Sequence, residues 1–323
     1  MNFSLRALAL IGAMLGPMAA GAADAQTVAD PFVFSAFNQA TLARFAPLPA
    51  AGTGVAGAGG RIQLDWTTET VIARSGGEDL LLDGEILRLA LQYRWQLDRL
   101  TLWAEAPLLI TGGGVLDRSI ENWHDWFGLP NGGRDQIERD QYRYRYVRDG
   151  VTVFDIDGSD TAVGDLRAGA SVCGVLGGRA AAMLQLPTGD ADRFLGGALG
   201  GAAWYERAYA LDAARRWSGV VAGGVAVANA DGPMQDQARS VVPFGWISLG
   251  WSVTPAWSLG AQFYGHGPLY DDSKLDPLSK GGGQLSFGVL YRSVRGGRVQ
   301  LAMQEDVVIE SSPDFVIELA YDW

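Results

Sequence analysis

Asp314-Phe315-Val316-Ile317-Glu318-Leu319-Ala320-Tyr321-Asp322-Trp323 ends the chain with Phe315, Ile317, Leu319, Tyr321 and Trp323 alternating against Val316, Glu318, Ala320 and Asp322. Successive side chains of a strand point to opposite faces, so this period of two predicts a wall with one apolar side and one wet side. A soluble sandwich could use such a strand at its edge. The terminal aromatic favours instead the closing strand of an outer-membrane β-barrel, with one face in lipid and one in the lumen. Phe315, Tyr321 and Trp323 are then the expected assembly signal, read by the barrel-assembly machinery.

The other end of the chain agrees. Arg6 precedes an apolar run from Ala7 to Met14, and Ala23-Asp24-Ala25 supplies a small-residue cleavage site, which predicts a secretory signal over residues 1–25. After it, no run of about 18 apolar residues offers a spanning helix, and an exported membrane protein without such helices must close its sheet, because unpaired edges are not tolerated in lipid. The composition fits, with 44 Gly, 11 Trp and 10 Tyr, and the single Cys173 rules out an internal disulfide. A net charge of −11 argues against nucleic acid as a partner.

Segment 84–97 repeats the rule. Leu87, Leu89, Leu91, Tyr93, Trp95 and Leu97 share one face, and Arg88, Ala90, Gln92, Arg94 and Gln96 the other. Asp98-Arg99 turns the chain into 100–110, where Leu102, Ala104, Ala106, Leu108 and Ile110 face out and Thr101, Trp103 and Glu105 face in. The same reading places strands near 61–73, 164–176, 179–188, 199–211, 216–229, 240–253, 256–267, 281–293, 298–309 and 314–323, twelve in all. Segment 199–211 is the least regular, because the adjacent charges Glu206 and Arg207 must take opposite faces. Short links alternate with long ones, which puts the turns and both termini in the periplasm and the loops outside. Trp95, Trp217, Trp251, Trp257, Tyr291 and Trp323 then fall together at the periplasmic ends as one aromatic girdle.

The chain thus divides into a signal (1–25), an N-terminal segment (26–60) and an all-β, twelve-stranded antiparallel transmembrane barrel (61–323). The N-terminal segment is apolar and Pro/Gly-punctuated; it suits a plug in the lumen or an arm in the periplasm. Within the barrel, 111–163 is an outer loop too long to be structureless. Its Leu116, Ile120, Trp123 and Phe127 fall on one helical stripe with His124 and Trp126 beside it, and Gly128 and Pro130 supply a stop. Tyr142, Tyr144 and Tyr146, a turn at Arg148-Asp149-Gly150, and a return over 151–156 predict a hairpin. A lid formed by the helical stripe and a loop merely folded over the rim are both consistent with this pattern.

Several stretches carry a resemblance: Phe37-Asn38-Gln39 with Pro47-Leu48-Pro49, the segment 113–133 (GGVLDRSIENWHDWFGLPNGG), Gly164-Asp165-Leu166-Arg167, and Leu186-Pro187-Thr188-Gly189-Asp190. Over nearly the whole mature chain they resemble a family of Gram-negative outer-membrane proteins described as a domain of unknown function. More loosely, the G-D-L and L-P-T-G-D elements are similar to those of barrels for uptake of aromatic or fatty hydrophobic compounds. The resemblance implies a bacterial outer-membrane location, contact with membrane lipid and lipopolysaccharide, and a small hydrophobic solute.

The chemistry-bearing residues point to no catalytic, metal or cofactor site. His124 and His266 are the only histidines, and a lipid-modifying enzyme would need a Ser within hydrogen-bond reach of one of them. His266 has only the unpatterned Ser273 and Ser279 downstream, so a rim histidine with a structural hydrogen bond is the expected role. The acidic groups Asp155, Asp157, Asp160 and Asp271, Asp272, Asp276 lack a Gly-punctuated Ca²⁺ loop and read as solvated charge. Inward positions include Arg61, Asp65, Glu69, Arg88, Arg94, Glu105, Asp165, Arg167, Arg179, Arg292, Arg298, Glu318 and Asp322. So even a mixture of signs predicts pairing across the lumen rather than a single-sign selectivity ring. The reading is a channel or transporter for a small, hydrophobic solute. Its alternative is a non-transporting structural or surface-interaction barrel or, third, a lipid-modifying enzyme.

Overall fold

The computed structural model describes residues 32–128, 138–229, 231–308 and 311–323, the side chains of residues 120, 123–125 and 127 excepted. In chain order the first elements are β1 (Gly59–Ser75), β2 (Glu78–Leu97), β3 (Leu100–Gly112), α1 (Asp117–Phe127), β4 (Arg143–Arg148), β5 (Val151–Asp157), β6 (Asp160–Val163) and β7 (Leu166–Val175). There follow β8 (Gly178–Leu186), β9 (Leu199–Ala210), β10 (Trp217–Asn229), β11 (Val241–Ser252), β12 (Trp257–His266), α2 (Asp276–Ser279), β13 (Gly282–Arg292), β14 (Arg298–Val308) and β15 (Phe315–Asp322).

Strands β1, β2, β3 and β7 to β15 form a closed antiparallel barrel of twelve. Closure is made by β1 against β15, in register from Arg61 opposite Asp322 to Thr68 opposite Phe315. The C-terminal strand keeps its predicted faces: Val316, Glu318, Ala320 and Asp322 are buried, while Leu319, Tyr321 and Trp323 are exposed outward. On β9, Glu206 turns inward and Arg207 outward over the ring of Tyr209.

Outward aromatics gather at the short-turn end. Trp217 stacks on Trp251 at 5.5 Å, Trp257 packs on Tyr291 at 4.7 Å, and Tyr321 lies 6.1 Å from Trp323. Trp323 also seals the closing seam: its N–H donates to the Gly60 carbonyl (3.1 Å), and a Cβ at Gly60 would come within 2.0 Å of the indole. Trp323→Asp is therefore expected to lower the amount of folded barrel far more than the behaviour of the molecules that do fold. Heat-modifiable mobility on gels measures this, and a wild-type level of shifted band would remove Trp323 from the closing of the barrel.

Two departures from the sequence reading matter. The β1–β2 hairpin rises well above the other strands, and its upper part, Glu78 to Asp83, pairs with β4 instead of β3. The strand expected over 164–176 begins at Leu166, and a further short strand, β6, precedes it. β6 and β7 both pair with β3, yet the register moves by one residue between Leu108 opposite Val163 and Glu105 opposite Arg167, a bulge centred on Gly164-Asp165.

Candidate functional site

The N-terminal segment runs inside the barrel. From Phe32 it climbs from the short-turn end, forms a 3₁₀ turn at Thr41–Phe45 under the long-loop rim, and descends to Gly59, where β1 begins. Ala51 N–H donating to Ala36 O (3.0 Å) ties the two arms together. A segment without strand or helix must still satisfy its backbone polar groups when buried. Here inward-facing side chains of the wall do so.

On the way up, Ser248 Oγ donates to Phe32 O (2.7 Å). Gln262 accepts from Phe34 N–H (3.0 Å) and donates to Phe34 O (3.1 Å), copying a strand partner. At the top, Glu69 accepts from Thr41 N–H (3.1 Å) and Tyr270 OH donates to Leu42 O (2.6 Å). On the way down, Tyr264 OH reaches Pro49 O (3.0 Å), Arg179 reaches Thr53 O (2.8 Å) and Ser171 reaches Gly54 O (2.6 Å). Phe32, Phe34, Phe37, Leu42, Phe45 and Leu48 are all buried. Opposite them, Trp204, Phe244, Trp246 and Tyr264 make an aromatic panel on β9, β11 and β12, with Trp246 stacked on both Phe244 (6.2 Å) and Tyr264 (5.9 Å).

The other half of the inner wall is ionic. Arg88 bridges Asp65 (2.9 Å) and Glu105 (2.5 Å), Arg94 pairs with Asp322 (3.0 Å), and Arg179 pairs with Glu206 (2.8 Å). Glu318 is fully buried within 3.5 Å of Arg61, and Arg292 donates to Ser258 Oγ (2.8 Å). Arg88 and Arg167 each place a guanidinium 5.2 Å from the centre of the Phe37 ring, a cation–π clasp on the inner segment.

His266 takes part in the same anchoring. Asn38 Nδ2 lies 2.6 Å from His266 Nε2 and also donates to Ser311 O (2.5 Å), while His266 Nδ1 lies 2.7 Å from Gly267 O. With Asn38 as donor, Nε2 accepts and Nδ1–H donates, the neutral ring with both nitrogens used. Ser273 Oγ donates to Glu78 (2.6 Å) and Ser279 Oγ to Leu275 O (2.8 Å). The loop carboxylates are engaged as well: Asp155 and Asp157 by Arg143, Asp160 by Arg193 and Asp276 by Lys280.

Over the mouth, the hairpin β4–β5 buries Tyr144, Tyr146, Phe154 and Ile156. Phe154 meets Phe194 at 4.8 Å, and Phe194 meets Phe45 of the inner segment at 5.3 Å. At the tip of the β1–β2 hairpin, above the wall, burial raises the Glu78 carboxyl. Hydrogen bonds from Ser273, Lys274 N–H and Tyr146 OH outweigh it and hold the group below its ordinary range. α1 lies over the predicted stretch with Glu85 accepting from the N–H groups of Val115 (2.8 Å) and Leu116. Leu116 is half-buried and Trp126 is 82 % exposed. The side chains of Ile120, Trp123 and Phe127, on which the apolar stripe depends, and of His124 beside it lie outside the described part.

The wall itself is interrupted beside this machinery. β7 pairs with β8 only as far as Leu166 opposite Leu186, and β6, above the bulge, has no partner on that side among the described residues. Residues 187–198 close the gap without being a strand. Asp165 holds them, accepting from Gly189 N–H (2.9 Å), Gly197 N–H (2.8 Å), Ala198 N–H (3.1 Å) and Gln185 Nε2 (2.9 Å). Thr188 Oγ1 donates to Gly164 O (2.8 Å) and accepts from Leu166 N–H (2.9 Å), replacing the missing ladder. Gly196 must be glycine, because its φ is +128° and a Cβ would sit 2.5 Å from Asp165 Oδ1. Behind the gap a cavity of about 40 Å³ separates wall from inner segment, lined by Phe37, Ala43 and Arg44 on one side and Leu109, Gly164, Arg167 and Leu195 on the other.

The G-D-L and L-P-T-G-D stretches thus partner each other across the interruption, and Phe37-Asn38 sits behind it. The chain belongs to the family described as Protein of unknown function (DUF3187), whose pattern matches residues 13–323. No curated protein matches it in sequence. Among solved structures it is similar to the COG4313 outer membrane channel from Pseudomonas putida F1, at 16% identity and a TM-score of 0.51 over 85% of this chain and 98% of that one. The Pseudomonas putida toluene transporter TodX (12%, 0.42, covering 92% and 97%) and the Ralstonia pickettii toluene transporter TbuX (10%, 0.41, covering 83% and 90%) are also similar. At these identities the likeness to the COG4313 channel is one of fold.

Proposed function

We propose that this DUF3187 member is an outer-membrane channel for a small hydrophobic solute, with the N-terminal segment as a lumen plug and the long-loop end facing outward. The observation that carries the reading is the interrupted wall at Gly164-Asp165 with a cavity directly behind it against the plug. A barrel built only as a scaffold has no use for a wall segment held by side chains instead of a strand ladder. Displacing residues 187–198 from the gap would give an apolar molecule a passage between lumen and bilayer. An outer-facing hairpin packed on the plug restricts entry from above.

Opposite changes at the gap test this. Asp165→Ala removes the acceptor that holds residues 187–198 and is expected to raise uptake of the uncharged dye N-phenyl-1-naphthylamine by Gram-negative cells with intact lipopolysaccharide. Ala43→Leu, which fills the cavity from the plug side at an overpacking cost of about 1–3 kcal/mol, is expected to lower it. Uptake that moves with neither variant, both folded by heat-modifiability, would leave the wall gap without a transport role.

A further inference from the structure

The outer surface of the barrel at its short-turn end carries charge of the opposite sign to the chain as a whole. Strands β3, β7, β8, β9 and β10 are successive neighbours in the wall. Their short-turn ends present Arg99, Arg207, Arg215 and Arg216 against Asp98 and Asp212 alone, in a protein of net charge −11. All four arginines are exposed, and none forms an ion pair among the described residues. Asp212 is committed to the Trp217 N–H (2.7 Å), while Arg216 donates only to the Val253 carbonyl (3.4 Å).

Arg207 is set apart by the face it occupies. Of the outward-facing residues of β7 to β13 it alone is charged, and a charge on the lipid side of a barrel is tolerated only near the membrane surface. Its guanidinium lies 5.3 Å over the Tyr209 ring, with Nη2 3.7 Å from where a Cβ on Gly177 would stand. Arg99 reaches the same β7–β8 turn from the other side, its Nη1 3.9 Å from the Cβ position of Gly174. Tyr205 OH fixes that turn by donating to Val175 O (3.2 Å) and Leu176 O (3.1 Å), and Leu176 at its tip is 79% exposed. Two guanidiniums, which do not shed their protons, thus flank an apolar tip beside the aromatic girdle.

We propose that this sector of the rim is a docking surface for anionic phospholipid, with headgroup phosphates held by Arg99 and Arg207 and along Arg215 and Arg216, and with acyl chains on the apolar wall beside Arg207. A guanidinium matches a phosphate through two parallel hydrogen bonds, and clustered basic side chains at a membrane surface draw in anionic lipid. A zwitterionic headgroup brings its own cation to a place already rich in positive charge. The surplus therefore favours a headgroup of net negative charge. The inference depends on the barrel lying in a bilayer and is independent of the channel reading.

Native mass spectrometry of the folded, full-length protein tests this, with phosphatidylglycerol and phosphatidylcholine of the same chain length present in equal amounts in neutral detergent. Phosphatidylglycerol adducts are expected to outnumber phosphatidylcholine adducts about fivefold, the factor that one basic side chain supplies at an anionic surface. Arg99→Gln combined with Arg207→Gln should bring the ratio close to one, whereas Arg74→Gln, on the β1–β2 hairpin at the opposite end, should leave it unchanged. Arg215→Gln combined with Arg216→Gln should also lower the ratio, and it carries the test if the first double variant does not fold. Equal retention of the two lipids by the wild-type protein overturns the docking surface. So does a preference kept by the folded Arg99 and Arg207 double variant or, where that variant does not fold, by the other. Glycerol 3-phosphate that displaces the lipid at equal concentration would overturn it as well, because a site filled equally well by a free phosphate ester makes no use of the apolar wall.

Discussion

A chain without residues 33–56, Phe32 being joined to Gly57, is expected to assemble as a barrel and to conduct ions in planar bilayers, where the intact protein conducts little or nothing. The expectation follows from where the plug's hydrogen bonds end. Those that tie it to the rest of the molecule run mostly to side chains of the wall, whereas the wall's own ladder runs strand to strand and closes through β1 and β15 without the plug. Removing the plug takes Phe34, Phe37, Leu42, Phe45 and Leu48 out of the lumen, five large apolar side chains each worth about 1.5–3 kcal/mol of burial. It also leaves Gln262, Tyr264, Tyr270 and Arg179 to be solvated by water. A twelve-stranded barrel is wider than the eight-stranded kind that side chains alone can fill, so the emptied lumen should flood. Current recordings on refolded protein give the measurement. A deletion variant that folds and stays silent would mean that the wall side chains seal the lumen by themselves, and the plug would lose its gating role.

That plug was only half legible in the sequence. Its apolar, Pro/Gly-punctuated composition suited a lumen or a periplasmic arm equally, because the partners that hold it, Ser248, Gln262, Tyr264 and Tyr270, come from strands and loops more than 200 residues away, as with the |i−j| of 228 between Gln262 and Phe34. Inward polar residues on a strand signal a wet lumen or a buried partner without distinguishing the two. The strands themselves were legible, since a period of two survives whatever fills the barrel. The phase of β9 was not clear until Arg179 and Glu206 stood side by side, with Arg207 snorkelling outward over Tyr209. The wall interruption was hidden for a different reason. Gly164-Asp165 and Thr188-Gly189 look like turn chemistry at strand ends, and only the pairing shows that each end supplies what the other lacks. In the long loop the helix and hairpin were visible in their periodicities, and the tyrosine face of β4 packs over the mouth.

Arg88→Met is expected to produce the largest loss of stability of any single substitution in the wall. Arg88 is 6% exposed and is the shared partner of Asp65 and Glu105, themselves 0% and 9% exposed; it also faces Phe37 of the plug. Taking it away leaves two carboxylates in one dry space, each repelling the other. Breaking a buried pair from one side costs about 3–5 kcal/mol, and here two pairs go together. Gln63 Nε2, 2.7 Å from Asp65 Oδ1, relieves only one of the two acids. The loss comes from uncompensated charge and not from a missing attraction, so removing the acids as well should restore most of it: the triple variant Arg88→Met, Asp65→Leu, Glu105→Leu is expected to unfold near the wild-type midpoint. Urea titration of tryptophan fluorescence in lipid, with the Asp65 and Glu105 single variants completing the cycle, reads the difference. A triple variant no more stable than Arg88→Met would show that the arginine acts through its clasp on Phe37 and the plug rather than through its two acids.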